Sequence, residues 1–280
     1  MIPLLLTIIC STSIALILKY SGSRKGNPVL LLCGNYFAAM VIMLILIISD
    51  NKLVYSIESF LFGAALGLLF FIGFFAFAKA VSTAGASLSA VSSRLSVIIP
   101  ITLSIIIFRE IPSYFQLSGI ILALVTIILF YFSIRHFSAG TFHRMDYFYI
   151  FALIVGIGIN DFSFKVFQNW RPGDEKNFFI LTIFSFAFLY SLSYILLRKI
   201  KFEQHTLTTG IILGIPNVFS SYFLLGALNQ LPAIIVYPSI NIGIIVLTSL
   251  AAFIIWKEKL NVYGWWAMGF GLSAIILLSI

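Results

Sequence analysis

Arg94 stands in the stretch AVSSRLSV (90–97), with GASLSA before it and IIPITLSIIIF after it. Its guanidinium matches a carboxylate bidentately and stays charged at any working pH. A second polar group lies in GIGINDFSFKVF (156–167), where Asp161 and Lys165 are spaced i, i+4 and Asn160 adjoins them. Such a pair shares a helix face. It reads either as a self-neutralised local ion pair or as a polar site facing a cavity. Arg94 and Asp161 together suit an amino acid or similar zwitterion, one charge for each end. Weaker binding candidates are Tyr237 and Asn241 in YPSIN, Asn217 beside Pro216, and the neighbours Asn35 and Tyr36, where Asn reads equally as a bridge between helices. No catalytic residue is expected. His136, His143 and His205 fall in links, and neither HExxH nor GxSxG occurs. Cys10 and Cys33 stand singly in apolar segments and read as small hydrophobes, so neither a metal site nor a cofactor is expected.

What must position these groups is a membrane. The 280 residues are 61% hydrophobic and 9% charged, where a soluble domain carries about 25% charged residues. Mean hydropathy is +1.12. Seventeen basic residues could suggest nucleic acid, but they are scattered and form no basic face, so no nucleic-acid partner is expected. A helix crossing the hydrocarbon core needs about 20 mainly apolar residues. Ten stretches qualify, at about 2–20, 28–48, 57–78, 85–107, 114–134, 147–168, 178–197, 206–228, 232–255 and 261–280. The fold expected is all-α and integral to the membrane, in contact with lipid along its length.

Depth gives the charges their meaning. Asp161 lies about 14 residues past Tyr147, or ~21 Å along the axis. Arg94 lies mid-span, where insertion costs about 2.5–3.5 kcal/mol. Ionisable groups at such depth are functional candidates by default. Around Arg94, Ser89, Ser92, Ser93, Ser96, Pro100 and Ser104 cluster on one broad helical face. That face reads as a seam where helix backbones approach closely, with Arg94 directed elsewhere, into a cavity, toward an ion-pair partner or, by snorkelling, toward the headgroups. Lys19 and Lys79 end their spans and can snorkel to the headgroups. Glu110 and Glu258 end theirs beside Arg109, Lys257 and Lys259 and read as local interfacial ion pairs.

Basic residues also bear on orientation. Nine fall in links on one side (Arg24, Lys25, Arg135, Arg144, Arg198, Lys199, Lys201, Lys257 and Lys259) and four on the other (Lys52, Arg109, Arg171 and Lys176). The positive-inside rule then places both termini outside.

The chain repeats itself. At an offset of 148, SIIIFRE (104–110) falls on AFIIWKE (252–258), Phe71 on Phe219 and Phe75 on Phe223. This predicts two five-helix repeats, 1–140 and 141–280. Five is odd, so the second copy is inverted in the membrane. Inverted repeats commonly build transporters around a midplane site. At the same offset Arg94 falls on Ile242, so the repeat itself does not demand a charge there.

These features resemble the drug/metabolite transporter superfamily, and within it the ten-helix EamA-type branch. The resemblance rests on the two repeats, on SRLSVIIPITLSIIIFREIP (93–112) and YPSINIGIIVLTSLAAFIIWKEKLN (237–261), and on QLSGIILAL and GWWAMGFGL after them. It implies a bacterial plasma-membrane carrier of small metabolites, often an exporter of amino acids, with a central cavity between the halves. It also implies cytoplasmic termini, opposite to the charge count. The membrane carboxylate that small four-helix relatives carry eight residues before a Lys is absent, since Ser11 and Ile157 stand at those positions. The expected function is secondary active export of a carboxylate-bearing metabolite by alternating access, with protons as a candidate coupling ion. The alternative is a flippase for lipid or lipid-linked sugar, or an accessory subunit of one.

Overall fold

A computed structural model describes residues 1–22, 26–50, 53–84, 86–134, 144–171, 173–255, 257 and 261–280. His136, His143, Arg24, Lys25, Lys52, Arg135, Glu258 and Lys259 lie outside the described residues. Among the described residues there is no strand. The helices are α1 (Ile2–Gly22), α2 (Pro28–Asp50), α3 (Ile57–Ala84), α4 (Ala86–Leu95), α5 (Ile98–Phe108), α6 (Tyr114–Ile134), α7 (Arg144–Trp170), α8 (Lys176–Leu197), α9 (Gln204–Leu228), α10 (Ala233–Ile255) and α11 (Val262–Ser279). They supply ten spans long and apolar enough to cross a membrane, with α4 and α5 sharing one.

These helices pack as two compact units. One comprises Met1–Phe75 and Val166–Ala227, the other Ala76–Lys165 and Leu228–Ile280. Each unit therefore draws on both halves of the sequence.

In the first unit α2 runs along α8. Asn27 starts α2, its side chain accepting from Val29 N at 2.9 Å, with Pro28 in the first helical position, where no N–H is needed. Helix α9 presses closely on α2, since a Cβ on Gly210 would stand 2.1 Å from the Leu31 carbonyl oxygen. Only glycine permits that approach. At one end the buried Glu175 accepts from Ser56 and Ser59 at the start of α3 and pairs with Arg171 at 2.8 Å.

In the second unit α6 lies along α11, and α10 packs against α5, α6 and α11. A reciprocal cap between Ser113 and Gln116 starts α6. Asn261 starts α11, accepting from Gly264 N at 2.9 Å and donating to the Ser133 carbonyl at 3.1 Å.

The fourth span departs from the single helix expected over 85–107. It breaks at Ser96–Val97 into α4 and α5. Pro100 has no N–H to give, and its ring crowds the carbonyl four residues back, which is that of Ser96. The backbone tightens instead, with Val97 N bonding Arg94 O at 3.3 Å and Ile99 N bonding Ser96 O at 3.0 Å. The Ser93 and Ser96 hydroxyls donate to the carbonyls of Ala90 and Ser93, each at 2.7 Å. Such local bonds compete with the helical ladder and bend it. The serine seam itself holds: Ser89, Ser92, Ser96 and Ser104 are buried, and α4 packs on α6.

Helix α5 ends on Arg109 and the chain just past α10 runs through Lys257, both non-glycine residues with positive φ, 54° and 53°. The two positions are related by the same offset of 148. At the first of them, Arg109 N and Glu110 N both turn back to the Ser104 carbonyl.

Candidate functional site

Six of the nine candidate residues fall in the second unit: Arg94, Asn160, Asp161, Lys165, Tyr237 and Asn241. Arg94 occupies the last turn of α4, just before the break. Asp161, Asn160 and Lys165 sit two-thirds of the way along α7. Helix α7 comes close to the start of α5 at Gly158, where a Cβ would stand 2.6 Å from Ile99 Cβ. That glycine brings the break and the acid of α7 to one level.

Arg94 and Asp161 are both half-buried, and their charges act on each other. Among the described residues neither side chain closes a hydrogen bond or an ion pair within 4 Å. They are opposite charges that interact without a direct bond between them.

Lys165 differs from expectation. Its spacing offers it to Asp161, but its ammonium lies 2.8 Å from Glu110 Oε1, with both side chains nearly buried. It also sits 5.7 Å from the centre of the Phe108 ring. Glu110, expected to pair with neighbouring bases at the interface, thus reaches across to α7. Its other oxygen accepts from Ile234 N at 3.1 Å, capping α10. A helix start exposes unpaired N–H groups and favours a negative charge. Glu110 is the residue that sequence reasoning missed. The recurring basic–Glu pair at the helix end was the available signal.

Helix α10 adds two bonds. The Tyr237 hydroxyl donates to the Asp161 backbone carbonyl, and Asn241 Nδ2 donates to the Tyr237 carbonyl at 3.0 Å. Tyr237 is 2% exposed, so its hydroxyl registers α10 against α7, and Asn241 serves its own helix. Asn160 is half-buried beside Asp161.

The remaining candidates belong to the first unit. Asn217 Nδ2 donates to Asn35 Oδ1 at 3.1 Å, bridging α9 to α2 at the glycine-mediated approach. Tyr36 is buried, with its hydroxyl 3.5 Å from the Phe70 carbonyl and its ring 6.2 Å from that of Phe184. These three side chains are engaged in helix packing. The first unit also holds a cavity of about 450 Å³ lined by Leu53, Tyr55, Ser56, Ile57, Phe60 and Phe178. None of the candidate residues lines it. Among the described residues no cluster of His, Cys, Asp or Glu could hold a metal.

Ten helices long and apolar enough to cross a membrane mark a multi-pass membrane protein. A solved crystal structure shares this fold, with a TM-score of 0.80 at 13% identity over 99% of this chain and 98% of that one. An uncharacterized protein of Haemophilus influenzae is 29% identical over 98% of this chain and 96% of its own length. The profile of the EamA-like transporter family matches residues 1–132. That match takes in 132 of the 280 residues, just under half of the chain, and is a similarity to a transporter family over that stretch.

Proposed function

We propose that the protein is a secondary transporter that exports a small carboxylate-bearing metabolite, such as an amino acid, by alternating access. The observation that carries this reading is the arrangement of Arg94 and Asp161. The two opposed charges act on each other at depth, yet neither makes a direct pair. A zwitterion complements two such charges, its carboxylate on the Arg94 fork and its ammonium on Asp161. Charge-assisted bonds of this kind are the strong ones. Asn160 beside the acid lines the same level of α7. Tyr237 fixes that level of α7 against α10. Asp161 is also the group placed to carry a proton if export is coupled to the proton gradient. The inverted repeat expected from the sequence supplies the symmetry that alternating access uses.

Uptake of a panel of radiolabelled amino acids into vesicles holding the purified protein tests this. Arg94→Ala is expected to lower uptake by about 10–100-fold, the loss of one or two charge-assisted bonds at about 1.4 kcal/mol per tenfold. Unchanged uptake and affinity would remove Arg94 from the site. Movement of a lipid-linked sugar with no uptake of any amino acid would favour the flippase reading.

A further inference from the structure

Arg94, Asp161 and Lys165 lie in candidate spans of the second unit, and Glu110 stands two residues past the end of one, which gives two acids and two bases. Four such charges can pair in two ways. On sequence spacing Lys165 belongs to Asp161, one turn back on α7, a distance that an i, i+4 pair spans readily. That pairing would neutralise Asp161 within its own helix, and Arg94 would then face no free carboxylate. The structure shows the other pairing, with the Lys165 ammonium 2.8 Å from Glu110.

Glu110 is held for this task from two directions. The left-handed turn at Arg109 folds the chain back onto the Ser104 carbonyl. The Ile234 N–H at the start of α10 engages the carboxylate oxygen that Lys165 does not take. One turn along α10, Tyr237 donates to the Asp161 carbonyl. The anchor of Lys165 and the acid it would otherwise neutralise are therefore fixed to the same helix. The Phe108 ring flanks the ammonium and adds a cation–π attraction.

We infer that Glu110 is a positioning residue that draws Lys165 away from Asp161 and so keeps the Asp161 carboxylate open to Arg94 and to the ammonium of a zwitterionic substrate. The inference rests on the reading of Arg94 and Asp161 proposed above. Its thermodynamic part, the choice of partner by Lys165, stands apart from any substrate.

The test is a pair of double-mutant cycles on the full chain in detergent, read by thermal unfolding. In each, Asp161→Asn and Lys165→Gln are made singly and together, first with Glu110 present and then in a Glu110→Gln background. Glutamine keeps an oxygen for the Ile234 N–H. With Glu110 present the two changes are expected to add. In the glutamine background Lys165 turns to Asp161, and the changes depart from additivity by about 2–4 °C. Glu110→Asp retains the charge and is expected to restore additivity. In vesicles, Glu110→Gln is expected to raise the apparent KM about tenfold with the maximal rate retained, and adding Lys165→Gln to return it toward wild type. Coupling that is the same in both backgrounds overturns the inference. So does a Glu110→Gln protein that fails to fold whether or not Lys165 is present, because Glu110 is then a helix cap and nothing more. If the cycles behave as expected but Arg94→Ala transports normally, the substrate reading fails and the pairing stands.

Discussion

The segment α4–α5 (86–108) and helix α10 (Ala233–Ile255) lie 148 residues apart in the sequence repeat and pack in the same unit, α5 against α10. Both contain a proline. In α4–α5 the helix breaks four residues before Pro100. In α10 it runs on through Pro238. The difference lies in what surrounds the weakened point. Pro238 falls in the second turn of α10, and every residue from Val236 to Val246 is buried, so packing supports an unbroken helix from all sides. Around Pro100 the serine hydroxyls give the backbone local partners that a ladder would otherwise claim, and Ile98 is exposed on one side. The contrast extends to position 94 and its counterpart 242. One is a half-buried arginine and the other an isoleucine with no exposed surface. One copy of the repeat is organised for packing, and the other carries a charge at a loosened backbone.

Substitutions can break or sharpen that contrast. The largest effect is expected from exchanging roles at the two related positions. Ile242→Ala opens a cavity in a fully packed site and is expected to cost about 2–5 kcal/mol of stability, with the KM of the surviving protein unchanged. Arg94→Ala is expected to do the reverse, losing transport while thermal unfolding moves little. Equal behaviour at both positions would erase the distinction. Next is Pro100→Ala, which restores an N–H and removes the ring, a change that favours a continuous helix by up to about 3 kcal/mol. It is expected to raise the unfolding temperature and slow transport, both measured on the same preparation, whereas a fast and stabilised variant would show that the break has no part in the cycle. The smallest effect belongs to α10. Tyr237→Phe deletes one hydroxyl bond to the Asp161 carbonyl and is expected to cost about 1 kcal/mol in unfolding by denaturant.

The ten spans were legible because apolar length alone marks them, as 21 residues of α6 or 23 of α2 do. The serine seam was legible because helical spacing puts Ser89, Ser92 and Ser96 on one face. Arg94 and Asp161 were legible as candidates because charges at depth are rare. Partners were another matter. Spacing ranks Asp161 first for Lys165, since a sequence shows neighbours on one helix and not those brought in by another. Glu110 lies 55 positions before Lys165 and reaches it only through the turn at Arg109. Asn35 and Asn217, read either as binding groups or as helix bridges, do bridge two helices, but spacing could not pair residues 182 positions apart. The break at Ser96–Val97 needed a sum of small local effects, a proline and two hydroxyls, that no periodicity reports.

The divided fourth span has a mechanical consequence. Its backbone is already closed by short-range bonds at the joint, Val97 N to Arg94 O and Ile99 N to Ser96 O. Tilting one part against the other therefore works against these two short bonds and not against the full ladder of a continuous helix. The ten residues of α4 can carry Arg94 as a short lever, while the eleven of α5 stay seated on α10 as its fulcrum.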